Sequence, residues 1–147
     1  RSGEVRGMVW DEVDLSARLW VIPAERMKAG REHRIPLSDA AVALLRQQEQ
    51  VLLAGVNLVF PSVRDHKPLS DMTLTAVLRR MQRNDLTVHG FRSTFRDWAA
   101  EATDYPQEMA EMALAHVVSN KVEAAYRRGD MLEKRREMMQ KWAEFIL

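Results

Sequence analysis

Apolar residues in the first third of the chain fall in short β-rich runs, Met8 to Val13, Leu19 to Ile22 and His33 to Leu37. Turn-prone Ser16-Ala17 and the polar stretch Ala24 to Arg31, with its Gly30, separate them. That spacing predicts three short strands in a small antiparallel sheet. From Ser38 the pattern turns helical. Ser38 is placed to cap a helix with Asp39 in its first turn and Ala41, Leu44 and Leu45 in its body, ending at Gly55 and Asn57. Val59-Phe60 reads as a short extended piece. Ser70-Asp71 opens a second helix, whose Leu74, Val77, Leu78 and Met81 make the cleanest amphipathic stripe in the chain. A third helix carries Phe91, Phe95, Trp98, Ala99 and Ala102 on one face, leaving His89, Arg92 and Arg96 together on another. Pro106 suits the first position of a fourth helix running to Leu114, and a short fifth is expected around Lys121 to Arg128. After Gly129, Asp130 to Glu133 resembles a capping box, opening a last helix with Leu132, Met138, Met139, Trp142, Phe145 and Ile146. The expected fold is α+β, mainly α: a three-stranded antiparallel sheet followed by a helical bundle.

With 147 residues, 46% of them hydrophobic, the chain is long enough for one self-sufficient core and short for two, so one domain over residues 1–147 is expected. Lys and Arg number 22 against 21 Asp and Glu, so bulk charge does not announce a nucleic-acid binder. The local distribution says more. Arg79, Arg80, Arg83, Arg92 and Arg96 stand against a single acid, Asp85, in the same stretch, which makes it a candidate anion-binding surface or, equally, a solvated helix face. The absence of cysteine excludes disulfides, thiolate nucleophiles and Cys-ligated zinc. No two histidines are spaced beside a carboxylate as a helical metal site requires, so neither metal nor other cofactor is expected. No apolar run approaches the roughly 18 residues of a membrane span. A cytoplasmic location is expected, compatible with the lack of cysteine.

Candidate chemistry lies in the second half. His89-Gly-Phe-Arg92 sets an imidazole and a guanidinium one turn apart, able to meet one anion. His116 follows in Leu114-Ala-His116, and Tyr126, one of two tyrosines, stands ten residues later. Each taken singly is as well read as a surface or packing residue. Together they supply what a phosphodiester-cutting phenol requires: cations for the phosphate, a proton handler and a nucleophile.

These residues resemble the tyrosine recombinases, or phage integrases, and within them the integrases of prophages and genomic islands. The resemblance covers essentially the whole chain. Arg1 to Leu15 looks like the first arginine box, a helix start followed by the first strand, and Met27 to Leu37 like the lysine-bearing turn between strands two and three. His89 to Phe95 is similar to the His-x-x-Arg box, Leu114-Ala-His116 to the third box and Ala125-Tyr126 to the nucleophile segment. The resemblance implies metal- and nucleotide-independent cleavage and rejoining of DNA through a 3′-phosphotyrosyl link. Tyr126 would be the nucleophile, with Arg1, Arg92 and His116 on the non-bridging oxygens. Lys28 would protonate the leaving 5′-oxygen, and His89 would help remove the phenol proton. Tyr105 is by the same resemblance a packing residue.

Implied partners are double-stranded attachment-site DNA, further integrase subunits in a tetramer on DNA, and accessory DNA-bending or directionality factors. The resemblance also implies a DNA-clamping domain ahead of this region, so the chain is expected to be the catalytic part of a longer protein. The last helix would pack either on its own chain or on a neighbouring subunit. Two alternatives stay open: a type IB topoisomerase that relaxes supercoils by the same chemistry, and a non-catalytic module that binds DNA through the Arg79 to Arg96 stretch.

Overall fold

A computed structural model describes residues 1–116 and 129–147. Helix α1 (Ser2–Arg6) leads through a 3-10 turn, Trp10–Glu12, into an antiparallel sheet of β1 (Val13–Asp14), β2 (Leu19–Ile22) and β3 (His33–Pro36), in the order β1-β2-β3. The helices α2 (Asp39–Glu49), α3 (Met72–Arg80), α4 (Gly90–Glu101), α5 (Gln107–Ala113) and α6 (Leu132–Ile146) follow. The fold is mainly helical with one small sheet, as the periodicity predicts.

The sheet is held in register by alternation. Trp20 and Ile22 point inward from β2, and the pairings Val13 with Trp20 and Ile22 with His33 keep every inward side chain on the buried face. Met8, Met27, Leu37, Val42, Leu45 and Val59 complete this first core. The expected strand from Met8 to Val13 is mostly a 3-10 turn. The cause is Glu12: its carboxylate takes the Trp20 Nε1–H at 3.0 Å and the Arg26 guanidinium, and it reaches back to the Val9 N–H at 3.5 Å. Those local bonds replace a ladder with β2.

Helix α2 is capped as expected, the Ser38 Oγ accepting from the Ala41 N–H at 3.3 Å. It stops at Glu49, several residues short of Gly55. Val51, Leu52 and Leu53 are exposed, so another turn would bury nothing to offset the entropy of fixing it.

A second core forms between α4, α5 and α6. Phe95, Trp98, Ala99, Met109, Ala110, Leu114 and Met138 are buried in it. Trp142 meets Phe95 edge-on at 5.4 Å and Trp98 at 5.2 Å, and Phe145 stacks on Trp142 at 5.7 Å. The last helix thus packs in cis in this structure. The expected apolar face of α4 is shorter than its sequence pattern: Phe91, a turn before Phe95, is 51% exposed because its neighbours cover the helix only from Phe95 onward.

Helix α6 also lies against β3 and touches α2, which joins the two cores. Its one fully buried charge is Arg135, which donates to the Asp130 carbonyl at 2.7 Å and to the Asp130 carboxylate at 3.1 Å. Burial, and then the nearby Arg34, hold the Arg135 guanidinium below its usual range, while Asp130 opposes both. Asp130 sits one residue ahead of the helix cap and accepts from the Leu132 N–H at 3.1 Å, with Met131 in the left-handed region between them. The capping box expected from Asp130 to Glu133 does not form: the N-cap is Met131, which has no side-chain cap bond, and the backbone N–H that the Asp130 carboxylate accepts is that of Leu132. The expected helix around Lys121 to Arg128 falls outside the described residues.

Replacing Trp98 with Ala should cost about 3–5 kcal/mol of unfolding free energy, because it removes the ring shared by Phe95, Trp142 and Phe145. Chemical denaturation checks the value, and near-ultraviolet circular dichroism should lose the coupled aromatic signal with it.

Candidate active site at the end of helix α5

Arg1 is the N-cap residue of α1, and its guanidinium donates to the Glu4 carboxylate at 2.9 Å. Burial raises the Glu4 carboxyl, but the bonds from Arg1 outweigh it and hold Glu4 below the usual carboxylate range. Helix α1 is too short to hold itself. Arg26 pins it, donating to the Glu4 carbonyl at 2.7 Å while pairing with Glu12. Gly7 makes room for that strut, since a Cβ there would lie 2.8 Å from the Arg26 guanidinium. Arg6 ties the other side of α1 to the Leu69 carbonyl at 2.7 Å.

Lys28 rides the turn between β2 and β3. Met27, buried in the first core, anchors one end of the turn, and Gly30 at φ +61° completes it. The ammonium group is thereby left exposed beside Arg1.

Arg92 lies on the face of α4 turned towards the end of α5 and donates to the Leu114 carbonyl at 2.6 Å. Burial, and after it the Arg1 charge, lower its pKa, with Glu4 and Glu111 pulling the other way. A guanidinium stays charged through such a shift.

His116 is set by the way α5 stops. The Ala115 N–H bonds the Met112 carbonyl at 3.0 Å and the His116 N–H bonds the Glu111 carbonyl at 2.9 Å, with Ala115 at φ +51°. This is a Schellman turn. It folds the His116 ring back over the Glu111 side chain, and Nδ1 lies 2.5 Å from Glu111 Oε2.

Arg1, Lys28, Ala29, Glu111, Ala115 and His116 line one open concavity of about 470 Å³. Arg92 stands behind it, bonded to the backbone of the turn that carries His116. The structure therefore brings four of the six expected catalytic side chains to one place. His89 caps α4 one turn before Arg92, exposed, and does not line the concavity. Tyr126 lies outside the described residues.

The expected DNA-contacting arginines divide. Arg79 and Arg80 stand exposed in the last turn of α3, without an ion pair among the described residues. Arg83 grips Asp85 at 2.8 Å, and Arg96 Nε lies 2.7 Å from Glu111 Oε1. The Arg96 contact is close but poorly aligned for a hydrogen bond, so it neutralises Glu111 Oε1 without satisfying it. Tyr105 is a packing residue, its hydroxyl 3.2 Å from Glu137 and Lys141 over its ring.

Sequence reasoning missed both carboxylates of the site. Glu4, three residues after Arg1 on one helix, carried a spacing that could have revealed it. Glu111 precedes His116 by five residues, a separation that becomes a contact only through the Schellman turn. His33 was also missed: at the head of β3, its ring is lowered in pKa by burial and then by Arg135, while a bond to the Ala113 backbone raises it. Among the described residues no group of His, Asp and Glu could hold a metal ion, and no helix is long and apolar enough to cross a membrane.

A model of the phage integrase family matches residues 1–133. The chain is 41% identical over 148 residues to prophage integrase IntA of Escherichia coli K12, covering 99% of this chain and 35% of that protein. It is 36% identical over 163 residues to the integrase of Enterobacteria phage P4, covering 99% and 37%. With the integrase of Shigella phage Sf6 the identity is 32% over 148 residues, covering 99% and 38%. The chain thus spans between about a third and two fifths of the length of these curated relatives. No solved structure matches.

Two outcomes follow from the geometry. Ala115→Gly should stabilise the chain by about 0.5–1 kcal/mol, since glycine relieves the left-handed strain and gives back part of the gain as unfolded-state entropy; thermal melting measures it. Because the folded His33 pKa lies below its unfolded value of about 6.5, the unfolded chain binds the extra proton first. Stability is therefore lost as pH falls from about 6.5 through the folded value, and His33→Gln should flatten that slope in denaturation curves taken across the window.

Proposed function

Because the chain belongs to the phage integrase family, we propose that it is the catalytic region of a site-specific DNA recombinase that cuts and rejoins strands through Tyr126. The observation that carries this reading is the convergence of Arg1, Lys28 and His116 on one concavity, with Arg92 bonded to its back wall. An attacking phenolate is repelled by a phosphodiester unless cations neutralise the non-bridging oxygens, and these residues supply them. Tyr126 stands ten residues beyond His116, a span whose extended reach of roughly 3.3–3.6 Å per residue easily returns a phenol to the same concavity.

In the proposed step the Tyr126 oxygen attacks phosphorus and its proton passes to His89. The bond from phosphorus to the 5′-oxygen breaks, and Lys28 protonates that oxygen as it leaves. The products are a 3′-phosphotyrosyl link and a free 5′-hydroxyl. Energy is conserved in the covalent link, so the 5′-hydroxyl of another strand can reverse the step and complete an exchange. Arg1, Arg92 and His116 hold the non-bridging oxygens throughout, a duty for which a planar, permanently charged guanidinium is better suited than an ammonium. His89 stands at the start of α4, one turn from Arg92 and off the concavity, so this role calls for its ring to turn towards the bound phosphate. No metal or nucleotide is called for.

The proposed substrate is double-stranded attachment-site DNA of a prophage or genomic island. The proposed assembly is a tetramer of integrase subunits on DNA, with accessory bending or directionality factors. Arg79 and Arg80, free of ion pairs among the described residues, are the better candidates for backbone contacts; Arg83 and Arg96 are already engaged by carboxylates. Binding should weaken steeply with salt as phosphate counterions are retained.

A nicked suicide duplex, which loses its 5′-hydroxyl fragment after cleavage, tests the central step. The chain should form an adduct that survives denaturation, Tyr126→Phe should form none, and Tyr105→Phe should behave as the parent. Arg92→Lys should slow adduct formation about 100-fold or more. Binding with no adduct would reduce the protein to a non-catalytic DNA-binding module.

A further inference from the structure

The carboxylate of Glu111 has no part in the cleavage scheme above, yet it lines the same concavity as Arg1, Lys28 and His116. Its oxygens are divided between two partners, Oε2 with His116 Nδ1 at 2.5 Å and Oε1 with Arg96 Nε at 2.7 Å. The pairing is built into the backbone. A Schellman turn sets the residue two beyond the helix cap over the residue three before it, and most helices place an apolar contact there. Here those positions are His116 and Glu111, and the contact is a carboxylate against an imidazole. We propose that Glu111 is a positioning residue for His116, fixing its ring through Nδ1 so that Nε2 is presented to the phosphate-binding concavity. The inference rests on the recombinase reading for what His116 does, and on geometry alone for how it is held.

A carboxylate at Nδ1 selects the Nδ1–H form of the neutral ring. Only the doubly protonated ring can donate from Nε2 to a non-bridging oxygen while still bonded to Glu111. Most of the other charged side chains near the ring are cationic, Arg1 at the head of α1, Lys28 from the turn after β2, and Arg92 and Arg96 from α4, with Glu4 already bonded to Arg1. Glu111 is the anion that faces His116 from the helix immediately before it. Arg96 in turn steadies Glu111, which is why this arginine is engaged instead of free for DNA.

The test is nitrogen-15 NMR of the histidine rings in the 147-residue chain, comparing the parent with Glu111→Gln and Glu111→Ala. In the parent the neutral His116 ring should carry its proton on Nδ1. In Glu111→Ala it should move to Nε2, and in Glu111→Gln the amide oxygen should keep it on Nδ1. In the suicide-duplex assay Glu111→Ala should slow adduct formation about tenfold or more near neutral pH, and Glu111→Gln should slow it less. A His116 tautomer unchanged in a folded Glu111→Ala chain would overturn the inference. Should Glu111→Ala not fold, Glu111→Leu, which puts at this position the apolar contact usual in a Schellman turn, takes its place in the same measurement. An absence of adduct in the parent would overturn the recombinase reading, while the ring nitrogens would still decide how His116 is held.

Discussion

The hydrogen bond from the Arg92 guanidinium to the Leu114 carbonyl, 2.6 Å long, ties α4 to the end of α5 at the point where the site forms. Leu114 is buried in the helical core with Phe95, Trp98 and Met138, while Ala115, the next residue, packs against the sheet core of Trp20, Ile22 and Met27. The chain crosses from one core to the other within a single peptide, and His116 follows at once. Arg92 fastens that crossing from α4. If the crossing moved, the cations of α1, the β2–β3 turn and α5 would no longer share a wall.

Around that joint, like charges are kept close by interleaved carboxylates. Arg1, Lys28, Arg92, Arg96 and His116 would repel one another in an unoccupied concavity, and Glu4 and Glu111 offset this from opposite sides. The near-zero net charge of the chain conceals this local organisation. A polyanion entering the concavity would supply the negative charge now provided partly by the two carboxylates. Such an arrangement persists because three of these cations are tied to pinned backbone, Lys28 through buried Met27, Arg92 through buried Leu114 and Arg1 through the half-buried Arg26 strut.

Much of this was legible in the residues. Period-two runs at Leu19 to Ile22 and His33 to Pro36, the Ser38 cap and the apolar spacing of Phe95, Trp98 and Ala99 report forces that act over a few neighbours, and they place the sheet and most helices correctly. What could not be read depends on partners distant in sequence. Glu12 turns the first expected strand into a 3-10 turn because Trp20 and Arg26 come to it. Phe91 fits the apolar stripe of α4 but lies beyond the helices that cover the rest. In the site, the cations follow from a motif order, whereas the carboxylates that hold them follow from a capping geometry. Glu111 meets His116 only because Ala115 adopts a left-handed conformation, which nothing about an alanine announces.

The central claim is that the concavity at the end of α5 receives a single DNA phosphate. A crystal structure of the chain bound to an attachment-site duplex tests it most directly. One backbone phosphate should lie within hydrogen-bond distance of Arg1 and the His116 Nε2, with the Arg92 guanidinium beside it and the Lys28 ammonium towards its 5′-oxygen. DNA bound elsewhere on the surface, with no phosphate in the space between Arg1, Lys28 and His116, would contradict the account.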